Sequence, residues 1–350
     1  MSSPDRATEL ALNPADRAAR RAADARSVRV EPPGDPATFP ALQAEIRRLA
    51  RDKNAVILAH SYERPEVQDL ADHVGDSLRL SRLAASAPES TIVFCGVAFM
   101  AETAKILSPE KRVLLPDLAA GCSLADSITV EQLRSWKAEH PGAVVVSYVN
   151  TTAAVKAESD YCCTSGNARA VIEAIPADRR ILFLPDMFLG LWLQRVTGRK
   201  LTIWLGECHV HAGIRASDVE AWHEAEPGAE LLIHPECGCT SQIIEAAANT
   251  AFGGSPAHIL STEGMVSYAE RSTAGSFLVA TEVGILHRLE QKAPGKRFMP
   301  VNREAICQYM KLITLEKVRD SLLHGVYEID VPAATAAAAR LALERMIAIS

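Results

Sequence analysis

No window of the 350 residues approaches the ~18 to 20 uncharged apolar residues that a membrane span requires. The opening residues carry no apolar core like that of a secretory signal. A dense Lys/Arg block is also absent and the formal net charge is -6, which argues against a nucleic-acid surface or an anionic membrane as partner. Small molecules are therefore the expected partners, and the cytoplasm the expected compartment. A disulfide framework is not indicated either. Cys95, Cys122, Cys162, Cys163, Cys208, Cys237, Cys239 and Cys307 are spread through a chain far longer than the small secreted domains that need one, so reduced thiols or metal ligands are the better reading.

With 48% hydrophobic residues, the chain can bury a substantial core and is long enough for two or three small domains. Residues 1–40, rich in Ala, Arg, Asp and Pro, read as a flexible extension with at most a short helix. Their arginines raise an organelle-targeting peptide, but Asp5, Glu9, Asp16 and Asp24 count against it.

From Phe39 onward, apolar runs of four to seven residues alternate with helix-like stretches. Nine runs start near Ala55, Thr91, Arg112, Ala143, Arg180, Leu201, Glu230, Ala257 and Ser276. The first members of successive triplets, Ala55, Ala143 and Glu230, lie 88 and 87 residues apart; the second and third members of the first two triplets are each 89 apart. A period of this size predicts three similar βαβαβ-type three-layer α/β domains, each a small parallel sheet flanked by helices; set around a pseudo-threefold axis, they would bring their loops to one central active site. The expected division is 41–121, 122–208 and 209–306 for the repeats, and 307–350 for closing helices.

Ligands of open parallel sheets bind beyond the C-terminal strand ends. Here those ends read Ala59-His60-Ser-Tyr62, Ser147-Tyr148-Val-Asn150, His234-Pro-Glu236-Cys237 and Ser261-Thr262-Glu-Gly264. Ser77 and Ser165 stand equally far into their repeats, and each could cap a helix that receives an anion, although an ordinary cap is the commoner case. Glu236, among imidazoles, is the candidate acid/base, because burial and neighbouring charge tune a carboxyl. His209 and the other remaining histidines read as surface or capping residues.

Trp204-Leu-Gly-Glu-Cys-His-Val-His-Ala-Gly213 puts Cys208 and His211 at the exit of an apolar run, as the run before Cys122 does for that thiol. Cys307 follows further on. The separations match no compact zinc finger. Three repeats around one axis would bring the three thiols together, and three thiolates leave one iron of a [4Fe-4S] cluster open as a Lewis acid. Cys237-Gly-Cys239 beside His234 is an equal rival on spacing, as a zinc site in a non-catalytic protein. Another cluster-dependent hydro-lyase acting on a hydroxy-dicarboxylate is a further alternative.

Several stretches together resemble one family: Pro65-Glu-Val-Gln68-Asp69, Gly75-Asp-Ser77, Phe99-Met-Ala-Glu-Thr-Ala-Lys105, Gly121-Cys-Ser-Leu-Ala-Asp126, Cys163-Thr-Ser-Gly-Asn167, Leu184-Pro-Asp186, Gly206-Glu-Cys208-His-Val-His211 and Met310-Lys-Leu-Ile-Thr-Leu-Glu316, with the strand ends above. As a set, over residues 40 to 332, they resemble quinolinate synthase. The resemblance implies a [4Fe-4S] cluster on Cys122, Cys208 and Cys307, which demotes Cys237 and Cys239. It implies condensation of iminoaspartate with dihydroxyacetone phosphate to quinolinate for NAD biosynthesis, and L-aspartate oxidase as a functional partner. Substrate-binding positions fall on His60, Tyr62, Ser77, Tyr148, Asn150, Ser165, His211, His234, Glu236 and Thr262. Glu236 would be the acid/base, with Tyr62, His211 and His234 also catalytic. Two features depart from the family: Ser61 stands where an aromatic residue or Asn is common, and Glu245 to Ile259 is longer than usual.

Overall fold

In the computed structural model, residues 14–240, 251–252 and 255–349 are described. Most of the long Glu245–Ile259 stretch lies outside them. Among the described residues no helix is long and apolar enough to cross a membrane.

The strands are β1 (Ala55–His60), β2 (His73–Gly75), β3 (Thr91–Cys95) and β4 (Arg112–Leu114) in the first unit. Those of the second unit are β5 (Val144–Tyr148), β6 (Tyr161–Cys163), β7 (Ile181–Leu184) and β8 (Leu201–Ile203). The third holds β9 (Glu230–Ile233), β10 (Ala251–Phe252), β11 (Ser255–Ile259), β12 (Ser276–Ala280) and β13 (Arg297–Pro300). They build a four-stranded sheet β2-β1-β3-β4, a four-stranded sheet β6-β5-β7-β8 and a five-stranded sheet β10-β11-β9-β12-β13. All pairings are parallel except β10 with β11. The fold is α/β, with three similar units.

β1, β3 and β5 are buried along their whole length, as expected for parallel strands covered by helices on both faces. This is why they read as unbroken apolar runs rather than as alternating patterns. β2, β6 and β13 escape that reading because they are short or have exposed or half-buried residues.

The third triplet changes accordingly. Its members are β9, β12 and β13, while the run near Ala257 is β11, the counterpart of the edge strands β2 and β6. With this correction the units match strand for strand. The strands β1, β5 and β9 lead to His60, Tyr148 and His234; β2, β6 and β11 lead to Ser77, Ser165 and Thr262; β4, β8 and β13 lead to Cys122, Cys208 and Cys307, and β10 is an addition at the edge of the third sheet.

Two helices near the C-terminus pack back on the first two units. Leu315–His324 packs on Phe39–Asp52 and against β3. Ala333–Ala348 crosses β6 and the helices Ala98–Leu107 and Ala153–Ala157, and Asn167 donates to the carbonyls of Met346 and Ile349. The extension read as flexible contains a helix, Pro14–Ser27. Among the residues of this helix whose burial is described, the buried ones are alanines, Ala22 and Ala25, so no stripe of large apolar residues marks it.

Candidate active site

Neither serine caps its helix. Asp76 is the N-cap of Ser77–Ser86, accepting from the Arg79 amide at 2.9 Å, and the helix after Ser165 starts only at Ala168. Both serines instead line a central cavity of about 690 Å³ together with His60, Tyr62, Tyr148, Asn150, His211, His234, Glu236, Thr262 and the three thiols. Every residue expected at the site thus lies around one space.

Glu236 is its electrostatic centre. It is 2% exposed, Tyr148 donates its hydroxyl to Oε1, and His211 Nδ1 lies 3.4 Å from Oε2. His234 Nδ1 is 3.7 Å from Oε1 and stacks on His211 with ring centroids 4.7 Å apart. Burial alone would raise the Glu236 carboxyl, but His211, His234 and the Tyr148 hydroxyl outweigh it and hold it at about 2. The group is a carboxylate at neutral pH.

The imidazoles of His60 and His234 are the reverse case. Burial, chiefly, lowers each to about 3, so both are neutral hydrogen-bonding groups. His234 Nε2 meets Ser165 Oγ at 3.2 Å, and His60 Nδ1 accepts from the Tyr62 amide at 3.2 Å. Tyr62 places its hydroxyl 2.9 Å from Thr262 Oγ1 and 2.6 Å from Thr281 Oγ1, and Thr281 is 2.8 Å from His211 Nε2. Burial raises both tyrosine hydroxyls, so Tyr62 and Tyr148 are protonated donors. Asn150 Oδ1 is buried without a hydrogen-bond partner, as expected of an atom reserved for a bound molecule.

Cys122, Cys208 and Cys307, one from each unit, are in no disulfide. Burial is the main reason each thiol resists ionisation, Cys307 reaching about 12; nearby negative groups add to it, Glu282 for Cys307, Glu236 and the other two thiols for Cys208, and Cys307 for Cys122. Three clustered thiols of this kind fit a thiophilic metal group, which would remove their protons on binding. Cys208, His211 and Glu236 also bring ligand atoms within 4.8 Å of one another, a possible set for one ion. His211 is committed elsewhere, with Nδ1 3.3 Å from Cys208 Sγ and Nε2 on Thr281. The zinc reading of Cys237 and Cys239 loses its ligands, because those sulfurs are bonded to each other.

Sequence reasoning overlooked a second ring of residues. Thr281 and Glu282 follow β12, where the strand-end rule finds them once that strand is placed correctly. Lys311 Nζ sits 3.0 Å from Glu282 Oε1 and donates to the Tyr62 carbonyl. Arg288 binds Ser61 Oγ at 2.8 Å and Glu263 through both terminal nitrogens. His209 is buried and lines the cavity.

A cavity that joins three thiols, an ionised carboxylate, neutral imidazoles and convergent hydroxyls from three α/β units defines an enzyme of small-molecule chemistry. Residues 44–348 match the family described as NadA, quinolinate synthetase A protein. Quinolinate synthase of Mycobacterium sp. (strain KMS) is 60% identical over 307 residues, 87% of this chain and 91% of the relative. That of Mycobacterium tuberculosis (strain ATCC 25618 / H37Rv) is 58% identical over 307 residues, 87% and 88% of the two chains. The chain belongs to the quinolinate synthase A family.

Proposed function

We propose that this enzyme condenses iminoaspartate with dihydroxyacetone phosphate to quinolinate, releasing phosphate and water, as a step of de novo NAD biosynthesis in the cytoplasm. The observation that carries this reading is the convergence of one unpaired thiol per unit on the cavity that holds Glu236. Cys122, Cys208 and Cys307 would hold a [4Fe-4S] cluster, whose one iron without a protein ligand supplies a Lewis acid for a substrate hydroxyl or carboxylate.

The chain's own residues bind and move protons. Hydroxyls of Ser77, Ser165 and Thr262 and the Asn150 amide are spaced around the cavity to hold carboxylate and phosphate groups. His60 and His234, neutral by burial, offer N–H donors without a charge to neutralise the carboxylate beside them. Glu236 takes a proton from substrate carbon or nitrogen at one of its carboxylate oxygens and returns it at the dehydration steps. Tyr148 and His211, both on Glu236, orient that carboxylate, while Tyr62, tied to His211 through Thr281, stands ready to donate from its hydroxyl. Arg288 and Lys311 lie near enough to oppose protonation of His60, each paired with a carboxylate, Glu263 and Glu282. Counted along the sequence, with each boundary drawn at a thiol rather than by sheet, the chain would divide into the extension 1–40, the units 41–121, 122–208 and 209–306, and the closing helices 307–350. Iminoaspartate would come from L-aspartate oxidase.

The test is an anaerobic assay for quinolinate from the two substrates with cluster-replete protein. No quinolinate would sink the assignment; normal turnover in Glu236→Gln with its cluster intact would sink the acid/base role.

A further inference from the structure

The residue that follows each cluster-site cysteine has no part in the mechanism above, yet the three are joined. Ser123, after Cys122, lies with Oγ 2.6 Å from Nδ1 of His209, and His209 follows Cys208. Nε2 of the same ring lies 3.1 Å from Oε1 of Gln308, which follows Cys307. The hydrogen-bond roles are fixed by chemistry: an amide oxygen only accepts, so Nε2 carries the ring hydrogen and Nδ1 accepts from the serine hydroxyl. One neutral imidazole therefore spans loops from all three units.

We infer that Ser123, His209 and Gln308 form a clasp that sets the spacing of the three thiols before the cluster arrives and slows its loss afterwards. Rotation or withdrawal of any one loop would break a hydrogen bond to His209, and each bond lies one residue from a thiol. The clasp acts through the cysteines, so these are positioning residues, although Ser123 and His209 also form part of the cavity wall. The inference rests on the proposed cluster.

The surroundings bury most of the clasp. Ser123 is 4% and His209 8% exposed, and the Tyr309 ring meets His209 edge-on at 6.1 Å. The helix Pro14–Ser27 packs against the turn Ala125–Ser127 just beyond, where Arg21 and Asp24 share a surface cavity with Ser123 and Tyr309. The clasp is also independent of the substrate-side network, which reaches the thiols through His211.

The experiment compares full-length parent, Ser123→Ala, Gln308→Leu and Gln308→Glu after anaerobic reconstitution. Gln308→Glu keeps an acceptor for Nε2–H and is the rescue. Iron release is followed with a ferrous chelator, and the urea midpoint of each apo-protein is measured alongside. Loss of a group that orients a metal ligand commonly costs 10- to 100-fold in retention. Ser123→Ala and Gln308→Leu should release iron about tenfold faster than the parent, Gln308→Glu at close to the parent rate, and all four apo-proteins should share one midpoint. Release at the parent rate in the two broken variants would overturn the clasp. So would release that merely follows a lowered apo midpoint, since that marks general destabilisation. A parent that takes up no sulfide would remove the cluster reading itself, and the clasp with it; a parent that holds its cluster keeps the two questions apart.

Discussion

Tyr148 donates its hydroxyl hydrogen to Oε1 of Glu236, linking the exit of β5 to the exit of β9 across two sheets. Both side chains are buried, so the bond forms where water cannot replace it. A hydrogen bond to a charged group contributes about 1.5 to 3 kcal/mol, and Tyr148→Phe should lower turnover roughly 10- to 100-fold. His211 stays 3.4 Å from the other oxygen, so the carboxyl should remain ionised at neutral pH. The check is the rate of quinolinate formation at matched iron and sulfide content. Unchanged turnover would reduce the contact to packing.

Thr281 joins Tyr62 to His211, with its hydroxyl 2.6 Å from one and 2.8 Å from the other. Thr281→Val keeps the shape and removes both bonds. Two neutral hydrogen bonds at about 1 kcal/mol each predict a loss of roughly 10- to 30-fold in kcat/KM with the iron content unchanged. A kinetic profile equal to the parent's would show that Tyr62 and His211 act independently.

The buried imidazoles make stability depend on pH. His60 and His234 fall from 6.5 to about 3 on folding, chiefly through burial, so between those values the unfolded chain binds more protons. Their contribution is complete above pH 6.5 and is lost progressively as the pH falls towards 3. Between pH 7.5 and 5 each should cost roughly 1 to 2 kcal/mol. Urea midpoints of the apo-protein at the two pH values measure it, and the difference should shrink in His60→Gln. An equal difference in parent and variant would show that the His60 ring takes up its proton in both states.

How far the sequence reveals this depends on the range of the interaction. Strands such as β1 and β5 are legible because burial on both faces leaves unbroken apolar runs, and their ends point to His60, Tyr148 and, after β9, Glu236. β13 is not legible: it is four residues long, begins with an exposed Arg297 and ends in Pro300, so Cys307 looks isolated although it stands where Cys122 and Cys208 do. Ser77 resembles a cap because Asp76, one residue earlier, has the same capacity. The Pro14–Ser27 helix is hidden because the apolar residues it buries, Ala22 and Ala25, are alanines that leave no strong hydrophobic pattern. The Ser123–His209–Gln308 chain is beyond any local pattern, since its bonds join residues 86 and 99 positions apart.

Lys311 is the counterion of Glu282, whose carboxylate is fully buried and also accepts from the amides of Cys307 at 3.1 Å and Gly284 at 2.6 Å. Beside them lies Glu63, with both oxygens buried and no hydrogen-bond partner; burial raises it well above the usual carboxylate range, so it stays protonated. Lys311→Met would leave Glu282 buried with no cation, a loss of about 3 to 5 kcal/mol. Glu282→Gln keeps an acceptor for the Cys307 amide but strands the ammonium, and should destabilise less because Lys311, 14% exposed in its side chain, can turn toward solvent. Urea midpoints of the apo-proteins should fall in the order parent, Glu282→Gln, Lys311→Met. Equal midpoints would mean that the pair contributes nothing net to folding.

The last prediction separates the two sets of thiols. Cys122, Cys208 and Cys307 approach from the ends of β4, β8 and β13 and face one cavity, whereas Cys237 and Cys239 are bonded to each other and buried in the turns that follow β9. Anaerobically purified parent should hold about four irons and four sulfides per chain. Cys122→Ala, Cys208→Ala and Cys307→Ala should each lose them, since two thiolates and a bare cavity wall cannot replace the third ligand. Cys237→Ala should keep both elements, because its sulfur faces Ile214 in a separate apolar cluster that Cys208 and Cys307 only border. Zinc in place of iron, retained in the first three variants and lost in the fourth, would move the metal to the Cys237 pair and leave the cavity thiols without a cofactor.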